Sequence, residues 1–286
     1  MKSFTVNRND SGQRLDRVLL KMFPSLPRSL MYKEIRKKNI KVNKKRCDAA
    51  YTLCEGDIVE LYLKDDVLQE KKTYYDFMRA PKELDIVYED KNLILINKKA
   101  GILCHPDGSE YVNTLISSVK RRLYENGEWN PKDESFTPAL ANRLDRNTSG
   151  IIIAAKNAAA LKELNAAIKS RNIEKHYLAA VHGEFKIKSA TLEAFITKDE
   201  KKNTVSVYDR DTGNAKKIIT KYTVLDSYSE KSLIDIDLVT GRTHQIRAHM
   251  AHIGIHLLTT EIRQRSRPFS PVYAVTNLYL KADLIC

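Results

Sequence analysis

The spacing of hydrophobic positions near the N-terminus predicts helices followed by short strands. Residues 14–20 carry leucine and valine at intervals of three and four, which is typical of an amphipathic helix. A proline-containing break follows, and a second helix is predicted over residues 28–37. Short strands are predicted at residues 40–43 and 57–61. Residues 1–64 therefore predict two helices beside a small sheet.

The remainder of the chain is dominated by apolar runs of strand length. These runs occupy residues 84–90, 93–98, 149–155, 177–181, 218–224 and 233–238. One helix is predicted over residues 157–170, where Leu161, Leu164 and Ile168 share a face and Asn157 can cap the first turn. This combination predicts an α+β fold with a mixed, largely antiparallel sheet.

Residues 65–82 lose this periodicity and mix both signs of charge, as a linker does. We therefore expect a small domain at residues 1–64, a linker at 65–82 and a larger domain at 83–286. A chain of 286 residues is long enough for two domains with separate cores.

The composition indicates in which cellular environment the protein is expected. Hydrophobic residues make up 42% of the chain and charged residues 30%, and no apolar run approaches the roughly 18 residues of a membrane span. The first residues lack the basic and then apolar pattern of a signal peptide. The four cysteines form no C-x-x-C pair, so neither a disulfide framework nor a zinc site of four cysteines is indicated. We expect a cytoplasmic protein with no membrane partner.

Positive charge is concentrated in the first domain. The net charge is +13, and residues 1–64 hold fifteen lysines and arginines against seven aspartates and glutamates. Such an excess favours nucleic acid as the partner, with an anionic membrane surface or a merely solvated basic face as alternatives. The candidate RNA-binding residues of this domain are Arg14, Arg17, Arg28, Arg36, Lys37, Lys38 and Lys41.

A charged turn at residues 142–150 directly precedes an apolar run. There Asp145 stands between Arg143 and Arg146. Neighbouring positive charge lowers the pKa of a carboxylate by about one to three pH units, so Asp145 should be ionised and could act as a nucleophile. The same residues could instead form a structural turn in which Asp145 is held by salt bridges to the arginines. The spacing alone does not decide between a nucleophile and such a turn.

Four sequence blocks in a fixed order carry a family resemblance. They are residues 97–101 (Asn-Lys-Lys-Ala-Gly) with His105 and Pro106, residues 143–150 (Arg-Leu-Asp-Arg-Asn-Thr-Ser-Gly), residues 175–183 (Lys-His-Tyr-Leu-Ala-Ala-Val-His-Gly) and residues 240–249 (Thr-Gly-Arg-Thr-His-Gln-Ile-Arg-Ala-His). Together they resemble the large-subunit-type (RluA) family of pseudouridine synthases. The first domain resembles the S4 RNA-binding domain through residues 13–16, 28–29 and 40–43.

The resemblance implies an activity and a role for each matching residue. Members of this family break the bond from N1 of uracil to C1′, turn the base and rejoin it through C5, without metal, nucleotide or redox cofactor. Because the target base is stacked in RNA, it must be flipped into a pocket. The implied catalytic residues are Asp145, Tyr177, which stacks on the base, and Arg247, which pairs with Asp145. The implied RNA contacts are Arg143, Arg242 and His244.

From the residues alone, other roles stay open. Tyr177 could be an ordinary core aromatic of a strand. Arg242 and Arg247 could contact phosphates or simply carry surface charge. The implied partner is ribosomal RNA, and a monomer is expected.

Histidines crowd the segment around the last block. Helical spacing would put His249, His252 and His256 on one side, near His244, which invites a metal site. No glutamate-containing zinc motif accompanies them, and no metal is expected. His105 lies in a predicted turn and could line the cleft.

The resemblance ends after Gly254. Apolar alternation fails between Thr259 and Ser270, so we expect residues 255–286 to be loosely ordered. Some codon choices for residues 260–269, read one base along, encode a segment closer to the family's continuation, so a frameshift is one explanation. An alternative function follows, namely an RNA-binding protein whose catalysis is impaired by this tail. A glycosidase is a third candidate, although it needs two carboxylates and the matching blocks supply one.

Overall fold

The computed structural model describes residues 1–64, 67–68, 75–132, 135–199 and 204–258. The chain forms two compact units, each assembled from several segments. The first unit contains Met1–Ile96, Leu103–Arg143 and Ile153–Leu164, and the second contains Asn97–Ile102, Leu144–Ile152 and Asn165–Cys286. Asp145, Tyr177 and Arg247 all belong to the second unit.

The N-terminal elements match the predicted pattern of two helices beside a small sheet. They are β1 (Lys2–Thr5), α1 (Leu15–Met22), α2 (Arg28–Arg36), β2 (Ile40–Val42), β3 (Lys45–Arg46) and β4 (Ile58–Leu61). The four strands form one sheet in the order β1-β4-β2-β3, and their pairs are antiparallel. Leu15, Val18 and Leu19 of α1 are fully buried, which confirms its predicted apolar face.

The middle of the chain forms a second four-stranded sheet with two helices. Its elements are β5 (Ile86–Glu89), β6 (Leu93–Lys98), α3 (Leu115–Glu125), β7 (Ala139–Leu140), β8 (Gly150–Ala155) and α4 (Ala158–Lys169), with the strand order β5-β6-β8-β7. The Asn157 side chain accepts a hydrogen bond from the backbone N–H of Ala160 at 2.8 Å, which confirms the predicted cap of α4. Helix α3 was not predicted from the sequence.

Parts of the predicted linker pack against neighbouring residues. Leu68 is fully buried and joins the core of the N-terminal elements. A short 3-10 helix at Asp76–Arg79 carries Phe77, whose ring centre lies 5.7 Å from that of Tyr124 and 5.5 Å from that of Trp129. The remaining residues of the segment, 65–66 and 69–74, lie outside the described residues. The division into domain, linker and domain stays a prediction.

The C-terminal part is a six-stranded sheet with one helix packed on it. The elements are β9 (His176–His182), β10 (Ser189–Asp199), β11 (Thr204–Tyr208), β12 (Lys216–Tyr228), β13 (Lys231–Leu238), α5 (Gln245–His252) and β14 (His256–Leu257). The strand order is β11-β10-β12-β13-β9-β14, and every pair is antiparallel. Helix α5 packs on β10, β11 and β12. The α+β prediction is confirmed.

Alternate residues of β13 show why this sheet has one covered face. Ile234, Ile236 and Leu238 are buried, whereas Leu233, which directly precedes Ile234, is 40% exposed. Within the described parts of the chain, no helix is long and apolar enough to cross a membrane.

The beginning of the predicted loose tail is part of the sheet. Ile255 is buried, and His256 and Leu257 pair with His182 and Val181 of β9. The expectation of loose order is therefore wrong for residues 255–258, because the strand edge of β9 gives them hydrogen-bonding partners. Residues 259–286 lie outside the described residues.

Candidate active site

Asp145 lies in a short loop that is fastened at several points. The loop connects buried Leu144 to Gly150, which starts β8 with a φ of 134°. The backbone N–H of Thr148 donates to the carbonyl of Asp145 at 3.1 Å, closing a turn. The loop thus holds a carboxylate whose side chain is still 47% exposed.

A buried lysine ties this loop to the segment after β6. Lys98 is 1% exposed, and its Nζ donates to the carbonyls of Lys99 at 3.0 Å, Ile102 at 2.9 Å and Arg146 at 3.1 Å. The N–H of Gly101 also donates to the Arg146 carbonyl, at 2.8 Å. Burying an ammonium costs free energy unless its N–H groups are hydrogen-bonded. The three carbonyls therefore stabilise the buried Lys98, and Lys98 in turn stabilises the Asp145 loop. Lys98 stands in one of the family motifs, but no role was predicted for it, since sequence carries no signal for a lysine that turns inward.

His244 is the residue that contacts the Asp145 carboxylate. It precedes α5 in the left-handed backbone conformation, with a φ of 54°. Its Nδ1 lies 3.3 Å from Oδ2 of Asp145, so the ring donates to the carboxylate when Nδ1 carries a proton. His244 was predicted to contact RNA, and its contact with Asp145 was not predicted.

The predicted pairing of Arg247 with Asp145 is not found among the described residues. Arg247 is exposed, whereas Gln245 and His249 of the same helix are buried. At about 100° per residue, Arg247 is turned by about 200° from each of these buried neighbours. The burial of that opposite face therefore directs Arg247 away from the sheet. Its implied catalytic role stays a prediction.

A buried polar network fixes the loop that leads to His244. The Gln245 side chain accepts hydrogen bonds from the Thr240 hydroxyl at 2.9 Å and from the Arg242 N–H at 3.1 Å. It donates to the Thr220 hydroxyl at 3.0 Å, and this hydroxyl lies 2.9 Å from Nδ1 of His249. Residues 240–245 are thereby anchored to β12, which sets the position of His244.

The crowded histidines have separate partners. Burial first, and the nearby His252 second, lower the pKa of His249 to about 4. His252 lies 2.7 Å from Asp209, and His256 is in β14 rather than on the helix. The predicted common helical face of His249, His252 and His256 is therefore wrong, because the helix ends before Gly254. Across the described residues, no group of three His, Cys, Asp or Glu side chains could hold a metal ion.

Tyr177 lies on the covered face of β9 and close to Asp145. Its side chain is 8% exposed. Burial, and then the negative charge of Asp145, raise the pKa of its phenol to about 12. The structure thus brings Tyr177 and Asp145 together, and the phenol stays protonated throughout the physiological range.

The cations of the N-terminal domain differ in their exposure and in the side chains that they contact. Those exposed on α1, on α2 and directly after α2 are Arg17, Arg28, Arg36, Lys37 and Lys38. Arg14 is already bonded to Asp16, with 3.1 Å from Nε to Oδ1 and 2.7 Å from Nη2 to Oδ2. The Lys41 ammonium lies 5.0 Å from the centre of the Tyr62 ring.

The remaining sequence-predicted RNA contacts lie in both units. Arg242 is exposed in the second unit. Arg143 is exposed in the first unit, where its charge, after burial, lowers the pKa of His105. Lys120 contributes in the same direction, so Arg143 and Lys120 make the surroundings of His105 positively charged.

Comparisons with known proteins agree with the resemblance drawn from the sequence. Residues 92–252 match the family described as RNA pseudouridylate synthase, and residues 13–59 match the S4 domain. The chain is 31% identical over 284 residues to ribosomal large subunit pseudouridine synthase C of Vibrio vulnificus, covering 97% of this chain and 85% of that protein. It is 34% identical over 252 residues to an uncharacterized RNA pseudouridine synthase of Mycoplasma genitalium, covering 86% of this chain and 76% of that protein.

Among solved structures, human RNA Pseudouridylate Synthase Domain Containing 1 has a similar fold. The TM-score is 0.51 at 21% identity, over 69% of this chain and 77% of the human chain. At this identity the likeness concerns the fold alone.

Proposed function

The chain belongs to the RNA pseudouridylate synthase family, and we propose that it isomerises specific uridines of large-subunit ribosomal RNA with Asp145 as the catalytic carboxylate. The observation that carries this proposal is the exposed carboxylate of Asp145, held in a fastened loop beside a buried, protonated Tyr177. The choice of ribosomal RNA is supported by matched relatives that are named ribosomal large subunit pseudouridine synthases.

The chemistry suits a single ionised carboxylate. Breaking the bond from N1 to C1′ leaves positive charge on the sugar. Rejoining the base through C5 gives an isomer of the substrate, with the same atoms. The proton lost from C5 is balanced by one gained at N1, so the reaction needs no second substrate. A carboxylate at C1′ can attack the sugar or stabilise its positive charge, and both routes require Asp145 to be ionised.

Tyr177 has a restricted role in this scheme. A phenol with a pKa near 12 does not accept a proton at neutral pH. Its ring can stack on a flipped base, and its O–H can donate a hydrogen bond. Tyr177 therefore fits a positioning role at the base, while the charge in the site comes from Asp145.

The N-terminal domain supplies sequence-independent affinity in this proposal. Its exposed cations on and after α2 can contact phosphates, which positions the RNA without reading its bases. Arg143, Arg242 and His244 would contact RNA nearer to the site. We propose a cytoplasmic monomer that uses no cofactor.

The direct experiment is pseudouridine mapping. The purified full chain is incubated with ribosomal RNA transcribed in vitro, which contains no pseudouridine, and RNA from cells with and without the gene is mapped in parallel. We expect pseudouridine at the same small set of uridines in both experiments. RNA binding without any modified uridine would support the binding-only alternative, and modification confined to other RNA would contradict the ribosomal target.

A further inference from the structure

A half-buried ammonium, that of Lys175, lies on the Tyr177 side of β9 and has no partner within the described part of the chain. Lys175 directly precedes β9, and its carbonyl accepts from the N–H of Leu238 at 2.9 Å, which continues the pairing of β9 with β13. Because side chains two residues apart on an extended chain share a face, Lys175 lies on the same side as Tyr177. Burial first, and the charge of Arg171 second, lower the pKa of Lys175. Over the residues that the structure describes, the Lys175 ammonium makes neither a hydrogen bond nor an ion pair.

Arg171, the cation that acts on Lys175, also has an unused donor. Its Nη2 donates to Asp237 at 2.7 Å. Its Nη1 is buried and, within the described chain, has no hydrogen-bond partner. Lys221 lies 3.5 Å from the same Asp237 carboxylate. Arg171 and Lys221 thus share the Asp237 carboxylate, and in the described chain Lys175 has no carboxylate within ion-pair distance, so positive charge exceeds negative charge here.

Gly241 shows where the Lys175 ammonium lies. A Cβ added at Gly241 would be 2.9 Å from the Lys175 Nζ. Gly241 is not among the residues with a positive φ, so its backbone conformation does not require glycine. The missing side chain instead makes room for the ammonium. This position is at the start of the anchored loop that ends at His244, the residue that contacts Asp145.

We propose that the Lys175 ammonium forms a binding subsite for one backbone phosphate of the RNA, next to the nucleotide whose base enters the Asp145 site. Phosphate oxygens accept hydrogen bonds from an ammonium group, and a phosphodiester supplies the missing negative charge. The subsite rests on the proposed function for its ligand. It positions the nucleotide and does not touch the reacting atoms.

The first test compares two variants that lose the same charge. Lys175→Gln removes the subsite ammonium, whereas Lys217→Gln removes an exposed lysine that lies 2.7 Å from Glu193 on the same sheet. Binding of the mapped ribosomal RNA segment to the full chain is measured at several salt concentrations. We expect Lys175→Gln to flatten the slope of log affinity against log salt by about 0.7 to 0.9 and to raise KM about tenfold. Lys217→Gln should match the parent protein.

A second pair of measurements identifies the phosphate. RNA carrying one uncharged methylphosphonate is prepared for each phosphate near the target uridine. We expect one position to weaken binding to the parent protein but to cause no further loss in Lys175→Gln. Gly241→Ala, which displaces the ammonium without removing a charge, should raise KM in the same way and carries the test if Lys175→Gln does not fold.

The outcomes separate the subsite from the proposed function. A flattened salt slope in Lys175→Gln together with no isomerisation by the parent protein would support the subsite and contradict the enzyme. Normal isomerisation together with an unchanged slope and KM in both Lys175→Gln and Gly241→Ala would overturn the subsite. It would mean that the Lys175 ammonium stays solvated and holds no phosphate.

Discussion

Tyr177 and Asp145 share one site but occupy opposite environments. The tyrosine ring is 8% exposed, whereas the Asp145 side chain is 47% exposed. Burial stabilises the neutral form of the phenol, and the nearby carboxylate makes a phenolate still less favourable. The two side chains can therefore divide the work, with charge supplied by Asp145 and a stacking surface supplied by Tyr177.

A pH profile tests this division. Since the pKa of Tyr177 is raised to about 12, its phenol should stay protonated from pH 7 to about 9.5. We expect single-turnover rates of the parent protein and of Tyr177→Phe to run parallel over this range. A rise or fall near pH 9 to 10 that disappears in Tyr177→Phe would contradict a pKa of about 12.

The sequence identifies the proposed catalytic residues better than the residues that support them. Asp145 and Tyr177 stand in motifs that resemble a known family, and the structure brings them together. Lys98 and Lys175 could not be predicted, because their importance comes from burial and from close contact with carbonyls or with Gly241. The predicted pairing of Arg247 with Asp145 is not seen among the described residues, where Arg247 is exposed and its helix neighbours Gln245 and His249 are buried.

At the scale of elements, the Asp145 loop depends on a buried charge. Lys98→Met would retain an apolar stem but leave three carbonyls without the ammonium. We expect a loss of about 2 to 4 kcal/mol in the free energy of unfolding. Lys99→Met, at an exposed neighbouring position, is the control and should cost little. Denaturant titration of both variants checks this, and equal stabilities would show that Lys98 does not hold the loop.

The free energy of unfolding should depend on pH through His249, which lies in helix α5. Its pKa is lowered to about 4 in the folded protein, so the unfolded chain binds the proton first as pH falls. The contribution is complete above about pH 6.5 and is lost between about 6.5 and 4, at most about 3 kcal/mol.

His249→Gln should remove this loss while keeping a partner for the Thr220 hydroxyl. The exposed His182 provides the control, because His182→Gln leaves the buried network intact. Unfolding free energies measured from pH 7 to 4 distinguish them. The same pH dependence in His249→Gln as in the parent protein would show that another group is responsible.

The elements were predictable where apolar periodicity is strong. Helices α1, α2 and α4 and the strands β6, β8 and β13 follow the expected patterns. Helix α3 was missed although Thr114 caps it, with a hydrogen bond from the Ser117 N–H at 3.4 Å. Helix α5 could not be found by periodicity, because the side chains it buries include polar Gln245 and His249. Hydrogen bonding to β12 takes the place of an apolar face there.

At the scale of the whole molecule, positive charge is uneven. The net charge is +13, and residues 1–64 hold fifteen basic against seven acidic residues. Deleting this region would also expose other parts of the first unit, since buried Asp10 accepts a hydrogen bond from the Ser135 N–H at 3.1 Å. Substitution of exposed cations is therefore a cleaner test of RNA binding than truncation.

We expect the variant with Arg28, Arg36, Lys37 and Lys38 all changed to Gln to bind RNA more weakly and with a flatter salt dependence. Each lost phosphate contact lowers the slope by about 0.7 to 0.9. The control changes four exposed lysines outside this domain, namely Lys162, Lys169, Lys186 and Lys188. Similar slopes for both variants would place RNA binding outside the N-terminal domain. The single-turnover rate at saturating protein should change little in the first variant.

Asp145→Asn tests the central claim most directly, because the amide keeps the size of the side chain and removes its charge. The measurement is single-turnover pseudouridine formation in the mapped RNA, with RNA binding followed in the same samples. We predict that isomerisation is lost by a factor of about a thousand or more while binding stays within about threefold of the parent protein. Turnover near the parent rate in Asp145→Asn would contradict the account and remove Asp145 from the chemistry.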